Sequence, residues 1–166
     1  MTRATLSTLL ALALVCGTCA AQQAAQPEYI APENNHIAAQ KIVEEVIAQH
    51  KEIGIAAIHA TKPGETVCKV IAINRQRIGR PSDDDDLQTL ATGVEQFHNL
   101  KDEGHFEVLS LLKDDSGHVI GLINLIFLFP VNTDADGTPF IAQAKAIRDG
   151  LQPRLHSVAD LFRPTN

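Results

Sequence analysis

The segment VCKVIAINRQRIGRPSDDDDLQTLATG, Val67 to Gly93, carries the chain out of a sheet and into a helix. Val67, Val70, Ile71 and Ile73 are β-branched, and turn chemistry begins at Asn74, so the first part reads as a strand. Arg75, Arg77 and Arg80 follow within six residues, around Gly79 and Pro81, which mark irregular backbone. Ser82 with Asp85 three residues on forms a capping box. Asp83 to Asp86 place negative charge at the positive end of a helix dipole, and Gly93 supplies the C-terminal stop. The acidic run is therefore read as a helix start rather than a metal site.

Toward the N-terminus, the turn KPGE (Lys62 to Glu65) separates this strand from a β-prone run, Ile55 to Ala60, which predicts an antiparallel hairpin. Before it, Ala38, Ile42, Val43, Val46 and Ile47 recur at three- and four-residue steps. They give a helix over 36–52 with one buried stripe; Gln40, Lys41, Glu44, Glu45 and Lys51 take the wet face and Gly54 ends it. Residues 21–35 are rich in Gln, Ala and Pro and read as a flexible leader. Residues 1–20 read as a signal peptide: Arg3, then the apolar run Leu9 to Val15, then Gly17, Thr18, Cys19, Ala20 and Ala21.

Toward the C-terminus, Glu95 to Gly104 is polar connecting chain. Phe106 to Leu112 and Val119 to Phe129 read as a second hairpin around the turn DDSG, the return strand being apolar enough to lie centrally in the sheet. NTDADG (Asn132 to Gly137) has Gln143 where a calcium loop places its bidentate Glu, and is read as a turn. Ile141, Ala144, Ile147 and Leu151 form a last amphipathic helix, broken at Gly150 and Pro153 and resumed by Leu155, Val158 and Phe162. The expected fold is α+β: one domain over 36–166, with an antiparallel sheet of two hairpins covered by a long N-terminal and a C-terminal helix.

The full sequence has 166 residues and a formal net charge of −6. Cleaving residues 1–20 removes one arginine and no acid, so the mature chain is more acidic still. No basic block is present, which argues against nucleic acid or an anionic membrane as partner. No membrane insertion is expected after cleavage, and the localisation expected is periplasmic or secreted. Of the three cysteines only Cys68 survives processing, and it is expected to be a buried, inert thiol.

The string RIGRPSDDDDLQTLATG, residues 77–93, resembles the segment after the first hairpin in extracytoplasmic PAS-like sensor domains. These are the Cache-type modules of bacterial two-component kinases and chemoreceptors, including the citrate- and dicarboxylate-sensing kinases. FEVLSLLKDDSGHVIGLINLIF, residues 106–127, resembles that family's paired strands, and with the first helix the likeness covers 36–129. It implies a PAS-like sheet with a ligand pocket on one face, under the loop bearing Arg75, Arg77 and Arg80. Two departures stand out. No signalling output of its own is expected of this chain. And the position at which carboxylate-sensing members carry a ligand-binding arginine is here Glu107, which disfavours citrate or malate in the usual pose; a guanidinium–carboxylate bond contributes about 1.5–3 kcal/mol.

Strand alternation groups His59 with Ile55 and Ala57, and Asn124 with Leu122 and Ile126. Asn124 is a polar group in the most apolar strand, and reads either as pocket lining or as a core amide bonded to backbone. His59 reads as a satisfied core histidine or a ligand contact. The candidate ligand-binding set is Asn74, Arg75, Arg77, Arg80, Glu107, Asn124 and His59, holding a small polar metabolite. No zinc spacing, nucleophile elbow, phosphate loop or dinucleotide turn is present, so no enzyme, cofactor or metal is expected. The partners expected are a small-molecule ligand and either a membrane receptor or a second copy of the chain. The alternative is a protein–protein or dimerisation module with a collapsed pocket, associating through the first helix.

Overall fold

The computed structural model describes residues 28–165, so the expected signal peptide lies outside the described residues. Helix α1 (Ala38–Gln49) leads into strands β1 (Ile53–Thr61) and β2 (Cys68–Ile73). Helix α2 (Asp84–Thr92) follows, then strands β3 (Gln96–Leu100), β4 (His105–Lys113) and β5 (Val119–Leu128), and helices α3 (Thr138–Leu151) and α4 (Val158–Leu161). The five strands form one antiparallel sheet in the order β2-β1-β5-β4-β3. The α+β reading and both hairpins are confirmed, and β5 is the central strand.

Alternation along the strands sorts the side chains to two faces. Ala56, Ile58 and Ala60 of β1, Phe106, Val108 and Leu112 of β4, and Ile123, Leu125 and Phe127 of β5 point to one side. There they pack with Ala39, Ile42, Val43 and Val46 of α1, with Ala144, Ile147 and Leu151 of α3, and with Leu161 of α4. Phe140 of α3 stacks at 5.1 Å from Phe127 and tilts against Phe106 at 5.5 Å. The intervening residues of β1, β4 and β5 face the other side. There a smaller group, Ala57, Val70, Ile73 and Ile78 with Ile55, lies beneath the β2–α2 crossover.

Several expectations are corrected. Glu95 to Gly104 is not connecting chain: it contains edge strand β3, paired with β4 from Gln96↔Leu109 to Leu100↔His105. With only Phe97 and Leu100 as large apolar residues, this segment takes its strand conformation from pairing rather than propensity. Helix α1 stops at Gln49, and Gly54 lies within β1. Gln40 is not on the wet face. It is 2% exposed, and its amide donates to the Ile73 carbonyl (3.3 Å) and accepts from the Ile73 N–H (3.2 Å). It thereby closes the open backbone positions at the end of β2 as another strand would.

The last residues of the expected leader, 28–35, are held against the domain. The Ile30 N–H donates to the Ile78 carbonyl at 3.1 Å, and the Asn35 amide to the Ile71 carbonyl at 2.8 Å. Among the described residues no helix is long and apolar enough to cross a membrane.

Gly121 of β5 lies against β1 so closely that a Cβ there would sit 2.6 Å from the His59 carbonyl oxygen. Backbone of a neighbouring strand cannot yield as a side chain can. Gly121→Ala is therefore expected to cost about 1–3 kcal/mol, read as a lower urea midpoint with unchanged m; an unchanged midpoint would contradict this packing.

Candidate functional site

After β2 the chain does not leave the sheet. The Gly79 N–H donates to the Val70 carbonyl at 2.8 Å, the Val70 N–H to the Arg80 carbonyl at 2.8 Å, and the Ser82 N–H to the Cys68 carbonyl at 3.0 Å. The crossover thus folds back along the otherwise free edge of β2, with Gly79 at φ 96°, a conformation in which glycine is at home. The intervening residues 75–77 are thrown over the second face of the sheet.

α2 then begins with a capping box, one residue later than expected: the Asp83 side chain accepts at the third helical position while the Asp86 carboxylate accepts from the Asp83 N–H at 3.0 Å. Gly93 ends the helix in the left-handed conformation, as its sequence position predicts.

Between crossover, α2 and sheet lies a cavity of about 500 Å³, within the range of small-molecule sites. Its floor is Ile55 and Ala57 of β1, Leu109 of β4 and Ile126 of β5, and its polar lining includes His59, Arg75, Arg77, Arg80, Glu107 and Asn124. Six of the seven candidate residues therefore converge on one hollow. The seventh, Asn74, does not line it. Its amide donates to the Gly54 carbonyl (3.0 Å) and accepts from the Ala56 N–H (3.1 Å), which fixes the start of β1.

Asn124 settles between its two readings on the cavity side. Its Nδ2 donates to the Glu107 carboxylate at 2.7 Å, and its Oδ1 is buried without a partner. Glu107 is half-buried, and among the described residues that amide is its only side-chain partner. The Arg80 guanidinium is engaged by Asp83, whereas Arg75 and Arg77 are exposed and form no ion pair among the described residues.

His59 is 5% exposed and bonded on one nitrogen to two partners. Its Nδ1 lies 3.0 Å from Asp86 Oδ2 and 2.9 Å from Ser82 Oγ, and the Ser82 hydroxyl donates to Cys68 Sγ at 3.2 Å. A nucleophile triad places hydroxyl and carboxylate on opposite ring nitrogens. Here both meet Nδ1, so this set is a bridge from β1 to α2, and Nε2 is the ring atom His59 can offer to the cavity. Burial works to raise the Asp86 pKa. The bond to His59, its charge, the Asp83 N–H and the Arg80 charge outweigh it and hold the carboxyl below the ordinary aspartate value.

Sequence reasoning missed Asp83, Asp85, Asp86 and Gln76 as lining residues, since the acidic run was fully explained by helix capping. Ser82 was assigned to the cap; its hydroxyl is instead taken up by the bridge. The apolar floor was readable, because Ile55, Ala57 and Ile126 share the period-two face that contains His59 and Asn124.

No protein-family model matches the chain, and no curated protein sequence matches it significantly. Solved structures share its fold. The GAF domain region of a Geobacter sulfurreducens membrane protein superposes with a TM-score of 0.50 at 12% identity, over 69% of this chain and 87% of that one. A GAF domain from A. aeolicus in an inactive state gives 0.51 at 13%, over 82% and 86%. The type II free methionine-R-sulfoxide reductase of Thermoplasma acidophilum gives 0.52 at 13%, over 80% and 97%. These likenesses establish a GAF-like fold; none of them is specific to the Cache type. They also correct the expectation that the chain is not an enzyme. A reductase is built on this fold, so missing motifs in the sequence give no ground for excluding catalysis.

Because Asp86 ionises more readily in the folded chain than in the unfolded one, its contribution is complete above the unfolded value, about 3.9, and is lost as pH falls through its lower folded value. Asp86→Asn is expected to lower stability at neutral pH by about 1–3 kcal/mol. The gap from wild type should narrow as pH drops below about 4. Urea unfolding across this range measures it, and a gap that persists undiminished in strong acid would count against the bridge.

Proposed function

We propose that the chain is an exported sensor-like module that holds a small polar metabolite between the second face of its sheet and the β2–α2 crossover. The observation that carries this reading is the open cavity: an apolar floor with a few polar groups converging on it and several of them unpaired. Sites for small ligands have this composition. The GAF-like fold of its structural neighbours supports the reading without naming a ligand. In this proposal residues 1–20 are removed on export, 36–166 act as one domain in the periplasm or outside the cell, and the loaded module delivers its ligand or docks on a membrane receptor.

A collapsed pocket is not what the geometry offers, since the hollow remains open. Association through α1 is also disfavoured, because Ala39, Ile42, Val43 and Val46 are already buried against the chain's own sheet.

A thermal-shift screen of amino acids, amines and carboxylic acids at millimolar concentration tests the proposal. A ligand present at 100 times its Kd contributes about 2.7 kcal/mol, which raises Tm by several degrees. Ile126→Trp, which sends a ring into the cavity from the floor, is expected to abolish the shift of any true ligand. A screen without a protected hit, or hits that survive this substitution, would leave the cavity without a binding role.

A further inference from the structure

The charges around the cavity divide into those already matched and those left over, and the remainder describes a ligand. Arg80 is matched by Asp83, and Asp86 by His59. On the crossover, Arg75 and Arg77 remain, both cavity-lining and without an ion pair among the described residues. Opposite them, on the sheet, stands Glu107. Its cross-strand neighbour on β3 is His98, which forms no ion pair with it, and its bond to Asn124 is to a neutral amide. Asp85, at the start of α2, is paired with His98, 3.9 Å from its Nε2. The unmatched charges among the described lining residues are thus positive on the crossover, at Arg75 and Arg77, and negative on the sheet, at Glu107.

Resting on the binding role proposed above, we infer that the ligand is a zwitterion, with an N–H-bearing cation toward Glu107 and a carboxylate or similar anion toward Arg75 and Arg77. A dicarboxylate would bring its second charge against Glu107; a diamine would bring one against the arginines. Either leaves a repulsion that an overall neutral, two-ended ligand avoids. A quaternary ammonium is disfavoured as well. Glu107 is a half-buried carboxylate that, among the described residues, accepts one side-chain bond, from the Asn124 amide. Acceptors in that state are satisfied by N–H groups, not by methyls. The cavity, at about 500 Å³, has room for an amino acid with a sizeable apolar side chain, which would lie on Ala57, Leu109 and Ile126.

The test is a matched set on the purified full chain. The protein amino acids, with γ-aminobutyrate and δ-aminovalerate, are each compared by thermal shift and calorimetry with the decarboxylated amine and the deaminated acid; for leucine these are isoamylamine and isocaproate. Sugars and nucleosides complete the panel. The expected result is that at least one zwitterion protects and its amine and acid bind about tenfold more weakly or worse. Glu107→Gln should remove most of the advantage of the amino acid over its deaminated acid. The Arg75→Gln/Arg77→Gln pair should instead remove the advantage over the amine. Protection confined to acids, amines or uncharged compounds, and blocked by Ile126→Trp, would overturn the zwitterion while leaving the cavity a binding site. Protection by nothing in the panel would take down the binding role itself.

Discussion

The site depends on a buried contact between the sheet and the helix above it. His59 on β1 and Asp86 on α2 meet at 3.0 Å with both side chains almost wholly out of water. An ionised carboxylate in such a place is costly unless its lone pairs are used. Asp86 uses them twice, on the imidazole and on the Asp83 backbone N–H that starts its own helix. One carboxylate therefore sets where α2 begins and how far it stands from the sheet, and that spacing is what keeps the hollow open. Ser82 extends the same bridge to Cys68 at the start of β2.

The second constraint is the sheet's division of labour. β5 is paired on both sides and covered on one face by α1 and α3, so its inward residues Ile123, Leu125 and Phe127 must be apolar. Its other face looks into the cavity, and there a polar Asn124 is tolerated beside Ile126. The strand is nearly all apolar in sequence yet carries two different jobs, structural on one side and receptive on the other. The same split holds in β1 and β4, where His59 and Glu107 alternate with core residues.

A fold of this type does not identify an activity. Comparable sheets and helices occur in GAF domains and in a methionine-R-sulfoxide reductase, so what the chain does must be argued from the side chains that this sequence places in the hollow. Here those side chains are a mixed set of charges, only partly neutralised among themselves, above an apolar floor. Such an arrangement discriminates by charge placement more than by hydrophobic area, since misplaced charges in a partly enclosed site carry a large penalty.

Periodicity in the sequence was enough for α1, both hairpins, the amphipathic C-terminal helix and the central place of β5, because burying one face of each element forces that spacing. It also singled out His59 and Asn124, since polar residues interrupting apolar strands require a partner; Glu107 and the arginines became candidates through the resemblance to PAS-like sensor domains. Contacts distant along the chain decided the rest. β3 is a strand because β4 offers it an edge, not because Gln96 to Leu100 favours one. Gln40 reads as a surface amide and Asn74 as a ligand contact, yet each closes backbone positions on a neighbouring strand. The capping box moved from Ser82 to Asp83 because the Ser82 hydroxyl is held by His59 and Cys68. Local sequence specifies which groups need satisfying; which partner satisfies them is settled only when the sheet brings residues dozens of positions apart within hydrogen-bonding reach.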